Sequence, residues 1–149
     1  RNIRALYFST PRKHPLSVRV ATTMPIVETA IAKRFPSFES ILGTRGPVRE
    51  SLVTVSDSRG KSHDFLVAYQ ERPDLPPNRA LQHILPETLF CGELVVMQGG
   101  KRVLVVDLSK GPMVKLAKDA VRCFLLETAA RRAYNGQLAR IPSIPSVLG

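Results

Sequence analysis

Three histidines, two cysteines and a scatter of carboxylates are the side chains of this chain that could do chemistry. His14, His63 and His83 lie far apart in sequence. None has a second histidine four residues on or stands in Glu-x-x-His spacing, so the sequence draws no metal site. His14 sits in a basic stretch. His63 stands beside Asp64 and reads as an exposed hairpin position. His83 has Glu87 four residues on, but Pro86 breaks any helix that would align them, so it reads as a helix-end histidine. Cys91 and Cys123 stand alone among apolar neighbours, without C-x-x-C spacing. They read as small buried hydrophobes suited to a reducing compartment.

The acids Asp57, Asp64, Glu71, Asp74, Glu87, Glu93 and Asp107 fall mostly in turns and links, where spacing pairs no two of them for acid–base work. Nucleophile elbows, phosphate loops and dinucleotide fingerprints are missing. Residues 106–112 put Asp107 at a strand end and Ser109, Lys110 and Gly111 at a helix start. The free N–H groups of such a start could hold a phosphate, assisted by Lys110. Ordinary capping accounts for the same residues. The chain is therefore expected to bind rather than catalyse and to use no cofactor.

Charge is the stronger signal. The 149 residues carry 22 Lys and Arg against 12 Asp and Glu, a net charge of +10. The net charge is +6 over residues 1–50, −2 over 51–100 and +6 over 101–149. Basic proteins of this kind meet polyanions, because each phosphate neutralised releases counterions. The expected contacts are Arg1, Arg4, Arg12, Lys13 and Arg19 near the start, with Tyr7 and Phe8 available to stack on bases. Lys101 and Arg102 follow a predicted turn, and Lys115, Lys118 and Arg122 form a stripe on a predicted helix. Arg131 and Arg132 close that helix, where its dipole favours cations. No acid precedes Glu28, and an Arg- and hydroxyl-rich, acid-poor start is the composition of an organellar targeting segment. A mitochondrial setting is the corresponding expectation. No run approaches the roughly 18 apolar residues of a membrane span.

Stepping from residues to elements, 1–22 reads as a basic arm or processed targeting remnant, 23–136 as a single α+β domain and 137–149 as an extended tail. Within the arm, Ser17–Thr22 alternates and could form a short strand. Thr23 and Pro25 open a short N-terminal helix that must stop before Pro36. Two hairpins follow, at about 50–69 and 93–107. The first turns at Asp57-Ser58-Arg59-Gly60 and the second at Gly99-Gly100, a pair suited to a two-residue turn. Runs 94–97 and 103–106 are apolar on both faces, as central strands are. Arg79–Ile84 forms a short helix. Residues 112–134 form a long one, with Val114, Ala117, Val121, Phe124 and Leu125 on one stripe and Gly136 just past its end. The expected fold is an antiparallel sheet of four to five strands, with the short N-terminal and long C-terminal helices packed on one face.

Two resemblances stop at the fold. The alternation of helices and hairpins is similar to that of homing endonucleases, whose core helix ends in an acidic metal ligand. The first helix here ends Ala32-Lys33-Arg34-Phe35. Two hairpins before a helix also resemble the single-strand-binding sheets of the Whirly type, without shared functional residues. The reading that follows is a non-catalytic basic subunit of a large ribonucleoprotein assembly, such as a mitochondrial ribosome. Its partners would be nucleic acid, RNA in preference to DNA, and neighbouring protein subunits. The alternatives are a protein-interaction subunit of another assembly and a small enzyme holding a phosphorylated ligand at 107–112.

Overall fold

The computed structural model describes residues 2–23, 35–43, 46–99, 105–106, 108 and 111–140. Alternation at the start of the chain is strand alternation. In β1 (Asn2–Phe8), Ile3 and Ala5 are buried on one face while Leu6 and Phe8 are buried on the other. A connection over residues 9–15 returns the chain as β2 (Leu16–Thr23), in antiparallel register with β1 from Asn2↔Ala21 to Tyr7↔Leu16. The stretch read as an arm is thus two strands of the sheet. Its acid-poor composition hides a two-faced apolar pattern that the charge obscures.

The short strand β3 (Phe35–Ser37) adds to β2, and the single turn α1 (Glu39–Leu42) follows. The hairpin β4 (Arg49–Ser56) and β5 (Ser62–Glu71) closes where expected. Gly60 supplies the positive φ of 79°, and Asp57 accepts the Gly60 N–H on its carbonyl oxygen. Next come α2 (Arg79–Ile84), β6 (Gly92–Gly99), β7 (Val105–Val106) and α3 (Gly111–Arg140).

The strand order is β3-β2-β1-β6-β5-β4, every pairing antiparallel, with β7 paired to the end of β6. The α+β class holds: β1, β2, β4, β5 and β6 are the long strands, and α3 packs on the sheet. Strand β6 is central, between β5 and β1, as its two apolar faces require. One face carries Leu6, Phe8, Phe65, Val67, Leu94 and Val96 against α2 and α3. The other carries Ile3, Ala5, Val20, Leu66, Ala68, Val95 and Met97, with Phe38 just before α1 and Leu42 at its end packed against it. Both faces are therefore covered.

Two boundaries differ from expectation. Gln98 pairs with Val106 and Gly99 with Val105, a register that a two-residue turn at Gly99-Gly100 does not give; Gly100 itself lies outside the described residues. Gly99 stays in the ladder instead, where an added Cβ would sit 3.0 Å from the Asp64 carbonyl oxygen. The long helix runs through Gly136 to Arg140. An interior glycine costs only about 1 kcal/mol, and the good helix formers Gln137, Leu138, Ala139 and Arg140 follow it. The short helix expected before Pro36 lies outside the described residues over 24–34, as does the tail over 141–149.

Candidate nucleic-acid interface

The β1–β2 connection is held by hydrogen bonds from Asn78, Thr10 and Arg79. Asn78, fully buried, caps α2 by accepting the Leu81 N–H at 3.0 Å. Its amide donates to the carbonyls of Phe8 (3.0 Å) and Gly92 (2.7 Å). Thr10 donates its N–H to Glu93 at 3.0 Å and its hydroxyl to the Gly92 carbonyl at 3.3 Å. Thr10 in turn accepts the Arg79 N–H at 3.0 Å. The end of β1, the start of β6 and the start of α2 are thereby tied at one point. Gly92 allows it, with φ +134° and a Cβ position 2.0 Å from the Gln70 carbonyl oxygen.

This knot sets Arg79 beside the turn that carries Arg12 and Lys13, and all three side chains are exposed. His14 in the turn meets His83 on α2, ring centroids 4.7 Å apart and planes at 81°. Sequence spacing placed neither histidine near the other, because the contact depends on the Thr10–Arg79 bond between two elements. Arg12 and Lys13 were expected as contacts; Arg79, His14 and His83 were not.

The other expected cations divide into groups. Arg4 and Arg19 are exposed and sit opposite one another across β1–β2, on a sheet face rather than on an arm. Lys115 and Arg122 are exposed and Lys118 half-buried on α3. The opposite side of that helix buries Leu116, Ala117, Ala120, Val121, Phe124 and Leu125. Ala129 to Gly136 are all exposed, and this last third carries Arg131, Arg132 and the 61% exposed Tyr134. Arg132 donates to Glu71 at 2.8 Å on the surface. Among the described residues, Lys13, Arg19, Arg79, Lys115, Lys118, Arg122 and Arg131 make no ion pair. Arg1, Lys101 and Arg102 lie outside the described residues.

The expected base-stacking pair is not available. Phe8 is fully buried in the core. Tyr7 is half-buried, and its pKa is pushed up to about 12 by burial, by the charge of Glu93 and by its hydrogen bond to Glu93. Cys123 is exposed and Cys91 half-exposed, so neither is the buried hydrophobe its neighbours suggested. His63 is tied to Asp57 at 2.9 Å. The hydrogen bond from His63, with those from the Lys61 and Arg59 N–H groups, holds the Asp57 pKa down at about 2.

Two hollows flank α3. One, about 430 Å³, lies between the β4–β5 turn and the start of the helix. Its two cations, Arg59 and Lys115, are matched by Asp57 and Asp119, which cancels net attraction for a phosphate. Asp107, Ser109 and Lys110 lie outside the described residues. The other, an apolar groove of about 260 Å³, runs between Leu85–Phe90 and α3, with Leu89 and Leu126 exposed along it. No cluster of three metal-ligating side chains occurs among the described residues, and none of their helices is long and apolar enough to cross a membrane. No protein-family model, curated protein or solved structure matches this chain.

Proposed function

We propose that this chain is a non-catalytic basic subunit that binds RNA phosphates within a larger ribonucleoprotein assembly. The observation that carries the reading is that Arg12, Lys13 and Arg79 are all exposed and that the backbone of Arg79 is bonded to Thr10, two residues before Arg12. Exposed cations on a folded scaffold, Lys13 and Arg79 among them without an ion pair, are suited to phosphates. The stripe of Lys115, Lys118 and Arg122 extends the same chemistry along α3. With Tyr7 and Phe8 engaged in the fold, the exposed Tyr134 beside Arg131 is the aromatic placed to stack on an unpaired base. Recognition of this type reads backbone rather than sequence.

The test is fluorescence anisotropy of a labelled RNA with wild type and with the Arg12→Gln/Lys13→Gln/Arg79→Gln variant. The variant keeps every backbone bond of the knot, so its circular dichroism melt should match wild type while its affinity drops. Equal affinity in the two proteins would sink the assignment of the patch. A protein partner is the second reading, favoured by the apolar groove with Leu89 and Leu126 exposed. It predicts that Leu89→Ser/Leu126→Ser abolishes assembly and leaves RNA affinity unchanged.

A further inference from the structure

We propose that the outer edge of β4 pairs with the β4 edge of a second copy of this chain, giving a symmetric dimer with one continuous sheet. The two ends of the sheet differ. At one end β3 has three residues, and its Pro36 has no N–H to offer a further strand. At the other end β4 has eight, and Ser51–Ser56 holds neither charge nor proline. Among the described residues, β5 is the only strand paired with β4. Their register runs unbroken from Arg49↔Tyr69 to Ser56↔Ser62, so no bulge turns the edge away. A long edge without these guards is a template for another strand.

Backbone direction fixes the pairing. The Asp57 N–H donates to the Lys61 carbonyl at 2.8 Å, which makes these two a hydrogen-bonded pair of the antiparallel ladder. Alternation then turns the N–H and C=O of Ser51, Val53 and Val55 toward β5, and those of Glu50, Leu52, Thr54 and Ser56 toward the open edge. The second set shares a sheet face with Leu66, the cross-strand neighbour of Leu52, and there Leu52 is 64% exposed. An antiparallel copy on a two-fold axis at Leu52 sets the two Leu52 residues opposite one another. It also sets Glu50 of each copy opposite Thr54 of the other. The outward N–H and C=O groups of all three residues then have partners, and the two leucines cover each other.

Charge favours a second copy at this edge. The chain carries +10, which opposes self-association. The hairpin 49–71 departs from that balance, with Arg49, Arg59 and Lys61 against Glu50, Asp57, Asp64 and Glu71. Two copies joined there meet where neither repels the other. The pairing uses none of the cations assigned to RNA, so it does not rest on that reading.

The experiment is sedimentation velocity of the full chain over a concentration series without RNA, paired with amide hydrogen exchange. A monomer–dimer equilibrium with a Kd of about 10 µM should appear. Exchange at Glu50, Leu52 and Thr54 should slow as concentration rises, while Ser51, Val53 and Val55, bonded within the chain, exchange as before. Leu52→Lys sets two like charges on the axis and should give a monomer with wild-type circular dichroism. Leu52→Pro removes an N–H that β5 does not use and should also give a monomer. Leu89→Ser/Leu126→Ser, in the groove beside α3, should remain dimeric. A wild-type protein that stays monomeric up to about 100 µM, tenfold above that Kd, overturns the proposal. So does a dimer that survives Leu52→Lys. Added salt should leave the dimer intact or tighten it, whereas it weakens RNA binding.

Discussion

At the scale of single residues, Asn78 and Gly92 decide whether the basic turn exists in a fixed place. Asn78→Ala removes the cap of α2 and the amide donor to the Phe8 and Gly92 carbonyls. It should cost about 2–4 kcal/mol in urea denaturation. Asn78→Asp keeps the cap but cannot donate, and should fall between Ala and wild type. Gly92→Ala drives a Cβ into the Gln70 carbonyl at a φ open to glycine, and should cost at least about 2 kcal/mol or prevent folding. Two titrations bracket the pH range of stability. Asp57 is held at about 2, below its ordinary 3.8, so its contribution is intact above the ordinary value and disappears as pH falls toward 2. Asp57→Asn should therefore lower stability at neutral pH and remove the corresponding part of the acid sensitivity. Tyr7 is raised from 10.0 to about 12, so its contribution is intact below pH 10 and is lost as pH climbs through 12. A tyrosinate absorbance step near pH 12 that vanishes in Tyr7→Phe would record it.

At the scale of elements, the helix and the two hairpin regions were legible because their patterns are long and local. Val114 through Leu125 keep a 3.6-residue stripe, and Asp57–Gly60 has the chemistry of one turn type. The N-terminal strands were not legible as a sheet. Arg4 and Arg19 interrupt their apolar pattern, and burial on the two faces comes from α2 and α3 on one side and Phe38 and Leu42 on the other, all later in the chain. The helix end was misplaced because Gly136 is a weak stop when helix formers follow it. Of the candidate site, the cations Arg12, Lys13, Lys115 and Arg122 could be read from composition. Their grouping could not, because it rests on Asn78 and Thr10 reaching across 70 and 82 residues of chain. The exposed final third of α3 carries its own prediction. Tyr134→Ala should reduce affinity for single-stranded RNA by about 1–3 kcal/mol without changing the melting temperature, since Tyr134 packs on nothing in the core.

At the scale of the whole molecule, the charge layout remains uneven, but its meaning has changed. Among the described residues, Arg4 and Arg19 of the first third lie on sheet strands, and Lys115, Lys118, Arg122, Arg131 and Arg132 of the last third lie along a helix whose inner face builds the core. Cations are therefore displayed on a rigid body, which lowers the ordering cost of binding a polyanion. On the proposed reading, these cations bind RNA by neutralising phosphates. Measuring RNA affinity across a salt series tests it most directly. The logarithm of the association constant should fall linearly with the logarithm of salt concentration, with the Arg12→Gln/Lys13→Gln/Arg79→Gln variant losing about 0.7 from the slope per cation removed on a single strand. A flat salt response in the wild-type protein would contradict the claim.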